Sequence, residues 1–137
     1  MCSRAKNLVI YTMNQAIQKH MADLREQQEI LLGLADMLIH LYAIDSTVTR
    51  TLQVVRDEGV EATELERAAT RLQATRSFQE VREIAEDLLS HLAADDAEKL
   101  SAHFDAMDTL AFRPRVDQIG LQRTIADAVS EVEGYPF

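Results

Sequence analysis

Residues Ile30 to Arg50, ILLGLADMLIHLYAIDSTVTR, constrain this chain more than any other stretch. Ile30, Leu31, Leu34, Ala35, Leu38, Leu41, Tyr42 and Ile44 surround most of a helical axis, whereas a surface helix shows one apolar stripe and one polar face. The segment therefore predicts a helix covered from several sides. Within it, Asp36, His40, Asp45 and Arg50 are expected to be embedded, and desolvated charge is costly unless paired. Together with Tyr42 they form a candidate structural polar cluster whose pairing ties the helix to its neighbours. Loss of one partner, as in Asp36→Ala, is expected to cost about 3–5 kcal/mol if the pair is buried.

The rest of the composition agrees with a helical protein. The chain has 137 residues, 47% of them hydrophobic but only 5% aromatic, with 4 Gly and 2 Pro. Such a length hides roughly 68% of the surface of the unfolded chain, enough for a core. Ala, Leu, Glu and Arg are abundant, which favours helix over strand.

Charge narrows the partners. The net charge is −9 and the 14 Lys and Arg form no basic stripe, so neither a nucleic acid nor an anionic membrane surface is an expected partner. Cys2 is the lone cysteine, which leaves no disulfide framework and suits a reducing compartment. The first 15 residues carry only a four-residue apolar run and make no secretory core. The apolar run Ile30–Ile44 is broken by Gly33, Asp36 and His40 and falls short of the roughly 20 residues of a membrane span. A soluble, cytoplasmic protein is the expectation.

Periodicity and caps divide the chain into helices. A first helix is predicted from about Ser3 to Ala22, on the stripe Ala5, Val9, Met13 and Ala16 or Ile17. Asp23-Leu-Arg-Glu26 reads as a capping box for a second helix from Leu24 to about Glu58, stopped by Gly59. Thr63-Glu-Leu-Glu66 reads as another, opening a third helix to about Ala93, and Asp95-Asp-Ala-Glu98 as one more, opening a fourth that ends near Leu110. Pro114 breaks the helix across Ala111–Val116, and Asp117 caps a last helix. Gly134-Tyr-Pro-Phe137 reads as a tail. The prediction is one all-α domain over 1–137, an up-down bundle of four to five helices with a long central helix, the second.

Candidate chemistry is sparse. Asp36 and His40 share a helix face and could be catalytic or bind a metal, but a buried pair or hydrogen bond explains them better. None of His20, His40, His91 and His103 follows a Glu by three residues, as a di-iron bundle requires. Asp87, His91, Asp95 and Asp96 read as a solvated, capping face, and Arg113-Pro114-Arg115 as a solvated loop. Met13, Met21, Met37 and Met107 read as core filling. No catalytic, cofactor-binding or metal-binding residue is assigned.

The second helix resembles the C-terminal helical region of the acyl-CoA dehydrogenases, in particular the longer, very-long-chain-like members with an extra helical domain. Their pattern A-D-x-x-I-x-x-Y-A-M-E-S-x-x-x-R-T is met without gaps by Ala35, Asp36, Ile39, Tyr42, Ala43, Ile44, Asp45, Ser46, Arg50 and Thr51. Ile44 and Asp45 stand where Met and Glu are usual. Gln18-Lys-His20, Glu26-Gln-Gln-Glu29-Ile30, the segment from Leu110 to Val129 and the closing Gly134-Tyr-Pro-Phe137 are also similar. Nothing in the chain resembles the family's flavin-holding domains or its catalytic glutamate. Tyr135, beside Glu133 and Gly134, has the reversed order and wrong context for that base.

The resemblance thus implies a non-catalytic accessory and dimerisation domain, produced as a fragment or encoded separately. It also implies a parent enzyme that uses FAD to oxidise fatty acyl-CoA. The implied partners are that catalytic core, a second copy of the chain, or both, and helix one and the outward side of helix three are the expected contact surfaces. The alternative is a free-standing bundle holding an apolar or acyl ligand in a cavity lined by Leu34, Met37, Leu38 or Phe104.

Overall fold

The fold follows from a computed structural model, which describes residues 1–132. The expectations for Gly134-Tyr-Pro-Phe137, and for Tyr135 beside Glu133, lie outside the described residues. Five α-helices form: α1 (Cys2–His20), α2 (Gln28–Glu58), α3 (Glu64–Leu92), α4 (Ala97–Leu110) and α5 (Gln118–Glu131). No strand occurs among the described residues. The chain is all-α, a helical bundle as its periodicity predicts.

The long central helix is α3, however, and not α2. Twelve residues of α3 are buried against four of α2. Phe78, Val81, Ala85, Leu88, Leu89 and Leu92 recur at the spacing that keeps one helix face turned inward. The smaller Ala68, Ala74, Thr75 and Ser77 are buried as well, and they let neighbours approach. The helices α1, α2, α4 and α5 all pack on α3. Mean hydropathy hid this role, because α3 interleaves its buried stripe with Glu80, Glu83 and Asp87 on an exposed face.

Helix α2 contributes the stripe Ile30, Leu34, Met37 and Ile44, which joins Leu8, Val9, Phe78 and Leu89 in the core. Its 31 residues run without a break, well past the apolar run Ile30–Ile44, so by length and composition alone it is long and apolar enough to cross a membrane. At Gly33 it lies so close to α3 that a Cβ would sit 3.2 Å from both Leu88 methyls.

Two of the three expected capping boxes do not form. Asp23–Glu26 belongs to a 3₁₀ turn, Met21–Glu26, entered through Met21 at φ 46°, and Gln27 precedes α2 without a side-chain cap. Such tight turns are common connectors between helices. The Thr63 hydroxyl is fully buried and donates back to the carbonyls of Gly59 (2.9 Å) and Val60 (3.3 Å), closing the loop after α2 instead of capping α3. The third cap is shifted by one residue, since Asp96 and not Asp95 accepts from the Lys99 amide at 2.9 Å. Asp117 accepts from the Gly120 amide at 2.9 Å, as its position predicts.

Candidate docking interface and its polar ties

The outer face of α2 is uncovered. Leu32, Ile39 and Tyr42 are 64%, 63% and 73% exposed, flanked by Leu31 and Leu38 and, two turns beyond Asp45, by Leu52. Successive residues turn by about 100°, so Leu32 and Ile39 lie on the side opposite Leu34 and Met37. The prediction that α2 is covered from several sides is thus corrected: within this chain one side is covered, and a row of large apolar side chains meets solvent. Monomeric surfaces rarely leave such rows open, and where they do a partner normally docks. Helix α1 adds Ile10 and Ile17, 47% and 46% exposed. The outward side of α3 is polar instead, with no large hydrophobic residue exposed.

The charges on α2 are not paired inside the bundle. Among the described residues the ion pairs are Arg25–Glu26 at 4.0 Å and Arg82–Asp108 at 2.9 Å. Asp36 is half-buried, and Tyr42, Asp45 and Arg50 are exposed. Helix geometry explains why they do not meet: Asp45 lies about 180° around the axis from Asp36, and Arg50 about 21 Å along it. His40 Nδ1 reaches the Ser77 hydroxyl of α3 at 3.4 Å, and Asp45 accepts from the Cys2 thiol at 3.6 Å. Burial, and then the Asp45 carboxylate, push the Cys2 thiol above its ordinary range. Arg50 lines a groove of about 460 Å³ between α2 and α3 with Thr47, Thr51, Glu58, Glu66 and Thr70.

The buried polar ties lie elsewhere. Arg82 of α3 is 4% exposed and donates to the Asp108 carboxylate at 2.9 Å and to the carbonyls of Met107 (3.5 Å) and Ala111. It thereby satisfies the Ala111 carbonyl just past the end of α4, while the Met107 carbonyl also accepts from the Ala111 amide at 2.9 Å. Tyr11 of α1 meets His103 of α4, Oη to Nδ1, at 2.8 Å, with the rings edge-to-face. Burial holds the His103 imidazole below the usual histidine range, with Lys99 acting the same way and Asp96 opposing it, and burial raises Tyr11. Lys19 donates to the Leu92 carbonyl at 2.7 Å and ends α3, while the Arg4 guanidinium lies 3.4 Å from the Phe112 ring centre. Sequence reasoning missed Arg82 and His103, although a signal existed. Both occupy stripe positions, Arg82 between Phe78 and Ala85, His103 between Leu100 and Met107.

The remaining candidates fall into place. Met37 and Met107 fill the core, Met13 packs partly against it, and Met21 is 77% exposed instead of core-filling. Asp87 and His91 are solvated, and so are Arg113 and Arg115. Leu34 and Met37 are packed into the core while Leu38 faces out, so they do not line a common cavity for an apolar ligand. Two grooves set carboxylates against a pyrophosphate such as that of FAD: the one over α3 is lined by Glu80, Glu83, Glu86 and Asp87 beside Arg82 and Arg113, and Arg50 in the other is accompanied by Glu58 and Glu66.

The described residues thus form a helical bundle that leaves the outer face of α2 open. Residues 4–104 match the sequence model of the family described as acyl-CoA dehydrogenase, C-terminal domain, and the chain belongs to that family. A probable acyl-CoA dehydrogenase of Bacillus subtilis (strain 168) is 26% identical over 132 residues, which are 96% of this chain and 22% of that protein. The crystal structure of an acyl-CoA dehydrogenase complexed with FAD from Bacillus anthracis superimposes with a TM-score of 0.89 at 25% identity, over 95% of this chain and 22% of the other. The chain thus spans about a fifth of the length of these relatives.

Proposed function

We propose that residues 1–137 form one accessory domain of an FAD-dependent acyl-CoA dehydrogenase, non-catalytic in itself, which packs through the outer face of α2 on the catalytic core, on a second copy, or on both. The observation that carries this reading is the exposed row Leu32, Ile39 and Tyr42 on a bundle that matches 22% of an FAD-containing dehydrogenase. FAD and the oxidation of acyl-CoA belong, on this reading, to residues outside this chain. Asp36, Asp45 and Arg50 are then the polar rim of that face, available to partners across the interface. The lone cysteine supports a cytoplasmic location.

Sedimentation velocity tests the docking. The chain should self-associate with rising concentration or bind a dehydrogenase core, and Ile39→Glu should weaken that association by roughly thirtyfold, as for loss of a central apolar contact worth about 2 kcal/mol. A chain that stays monomeric and binds no core overturns the proposal. So does flavin absorbance together with acyl-CoA-dependent dye reduction by the purified chain, which would make it catalytic.

A further inference from the structure

Helix α4 is lightly anchored. Of its 14 residues only His103 and Met107 are buried, and Arg82 grips its far end. At mid-helix the buried polar anchor is His103, which is 3% exposed, with Phe104 packed partly against the core beside it. One imidazole nitrogen is taken by Tyr11 at 2.8 Å, and the other, Nε2, is buried with no hydrogen-bond partner. A neutral imidazole fits this place, because the tyrosine hydroxyl can either donate to Nδ1 or accept from it. An imidazolium does not fit. Its two N–H groups would carry charge, and the one on Nε2 would point at no acceptor.

The surrounding charges do not rescue the cation. On α4, Lys99 repels it, and Asp96 attracts it but is exposed at the helix start and already holds the Lys99 amide. On α1 the facing group is the neutral Tyr11, and on α3 the charged group bound to α4 is the positive Arg82, one turn further along.

We propose that Tyr11 and His103 form an acid-sensitive latch: neutral His103 fastens α4 to α1, and its protonation releases α4 while α1, α2 and α3 stay packed. The sign follows from linkage. Released α4 takes up a proton in the ordinary histidine range, and the fastened form refuses it until lower pH. The released population therefore rises as pH falls through that range, and levels off once both forms are protonated.

Hydrogen exchange of the 137-residue chain, corrected for the intrinsic pH dependence of exchange, tests the latch at pH 7.5 and 5.5. Protection over 97–110 should fall several-fold at the lower pH, to a ceiling of about tenfold for one histidine titrating from its ordinary value, with the core of α3 unchanged. His103→Gln should abolish the difference between the two pH values, and this separates His103 from His20, whose Nε2 is also buried without a partner. If that variant fails to fold, Tyr11→Phe, which keeps the ring packing, should already lower α4 protection at pH 7.5. The proposal is overturned if α4 protection does not change with pH, if all helices lose protection together, or if a folded His103→Gln keeps the pH dependence.

Discussion

Arg82 and Asp108 are joined at 2.9 Å across the α3–α4 boundary, yet the Arg82 side chain is 5% exposed and that of Asp108 is 75% exposed. The pair is therefore lopsided. The aspartate stays in water and loses little on pairing, while the arginine needs every acceptor around it. Asp108→Ala should cost about 1.5–3 kcal/mol, the scale of a hydrogen bond to a charged group, read from urea denaturation. Arg82→Met should also destabilise, because the Ala111 carbonyl loses its donor and the Met107 carbonyl keeps only the Ala111 amide. A neutral outcome for both would show that the guanidinium is not what fastens the end of α4.

Asp36→Ala is expected to leave stability within about 0.5 kcal/mol, as at an ordinary surface site. The residue is half-buried and is in neither of the ion pairs among the described residues. A thermal melt of the variant beside the parent chain decides the point, and a loss of several degrees would restore the internal tie expected from the sequence.

The loop between α2 and α3 turns at Gly59, with φ 91° and ψ 163°, a conformation nearly confined to glycine. Gly59→Ala should destabilise by about 1–3 kcal/mol through backbone strain alone, since nothing lies within 4 Å of the added Cβ. At Gly33 the reason differs: φ is helical, but Leu88 is in the way, so Gly33→Val should cost about 1–3 kcal/mol by overpacking. Chemical denaturation of the two variants checks both values.

Cys2 should be slow to alkylate at neutral pH, because burial and the Asp45 carboxylate keep its thiol protonated, and the thiolate is the nucleophile. Asp45→Asn should lower the pH at which iodoacetamide labelling reaches half its maximal rate. An unchanged profile would separate the two side chains.

Much of the fold was legible from residues alone. Helix breaks at Gly59 and Pro114, caps at Asp117 and near Asp96, and the all-α class all follow from local backbone chemistry, which acts within a few positions of the residue concerned. The resemblance carried by Ala35, Asp36, Ile39, Tyr42, Ser46, Arg50 and Thr51 likewise needed no coordinates. Tertiary structure decided which helix is central and which apolar faces remain open. A hydrophobic side chain reads the same whether it meets a neighbouring helix or water, so Leu34 and Leu32, two residues apart, could not be told apart until α3 covered one and left the other exposed. The polar ties were hidden for a similar reason. Arg82 with Asp108, and Tyr11 with His103, are 26 and 92 residues apart in the chain, and only the packing of α4 brings each pair within hydrogen-bonding distance.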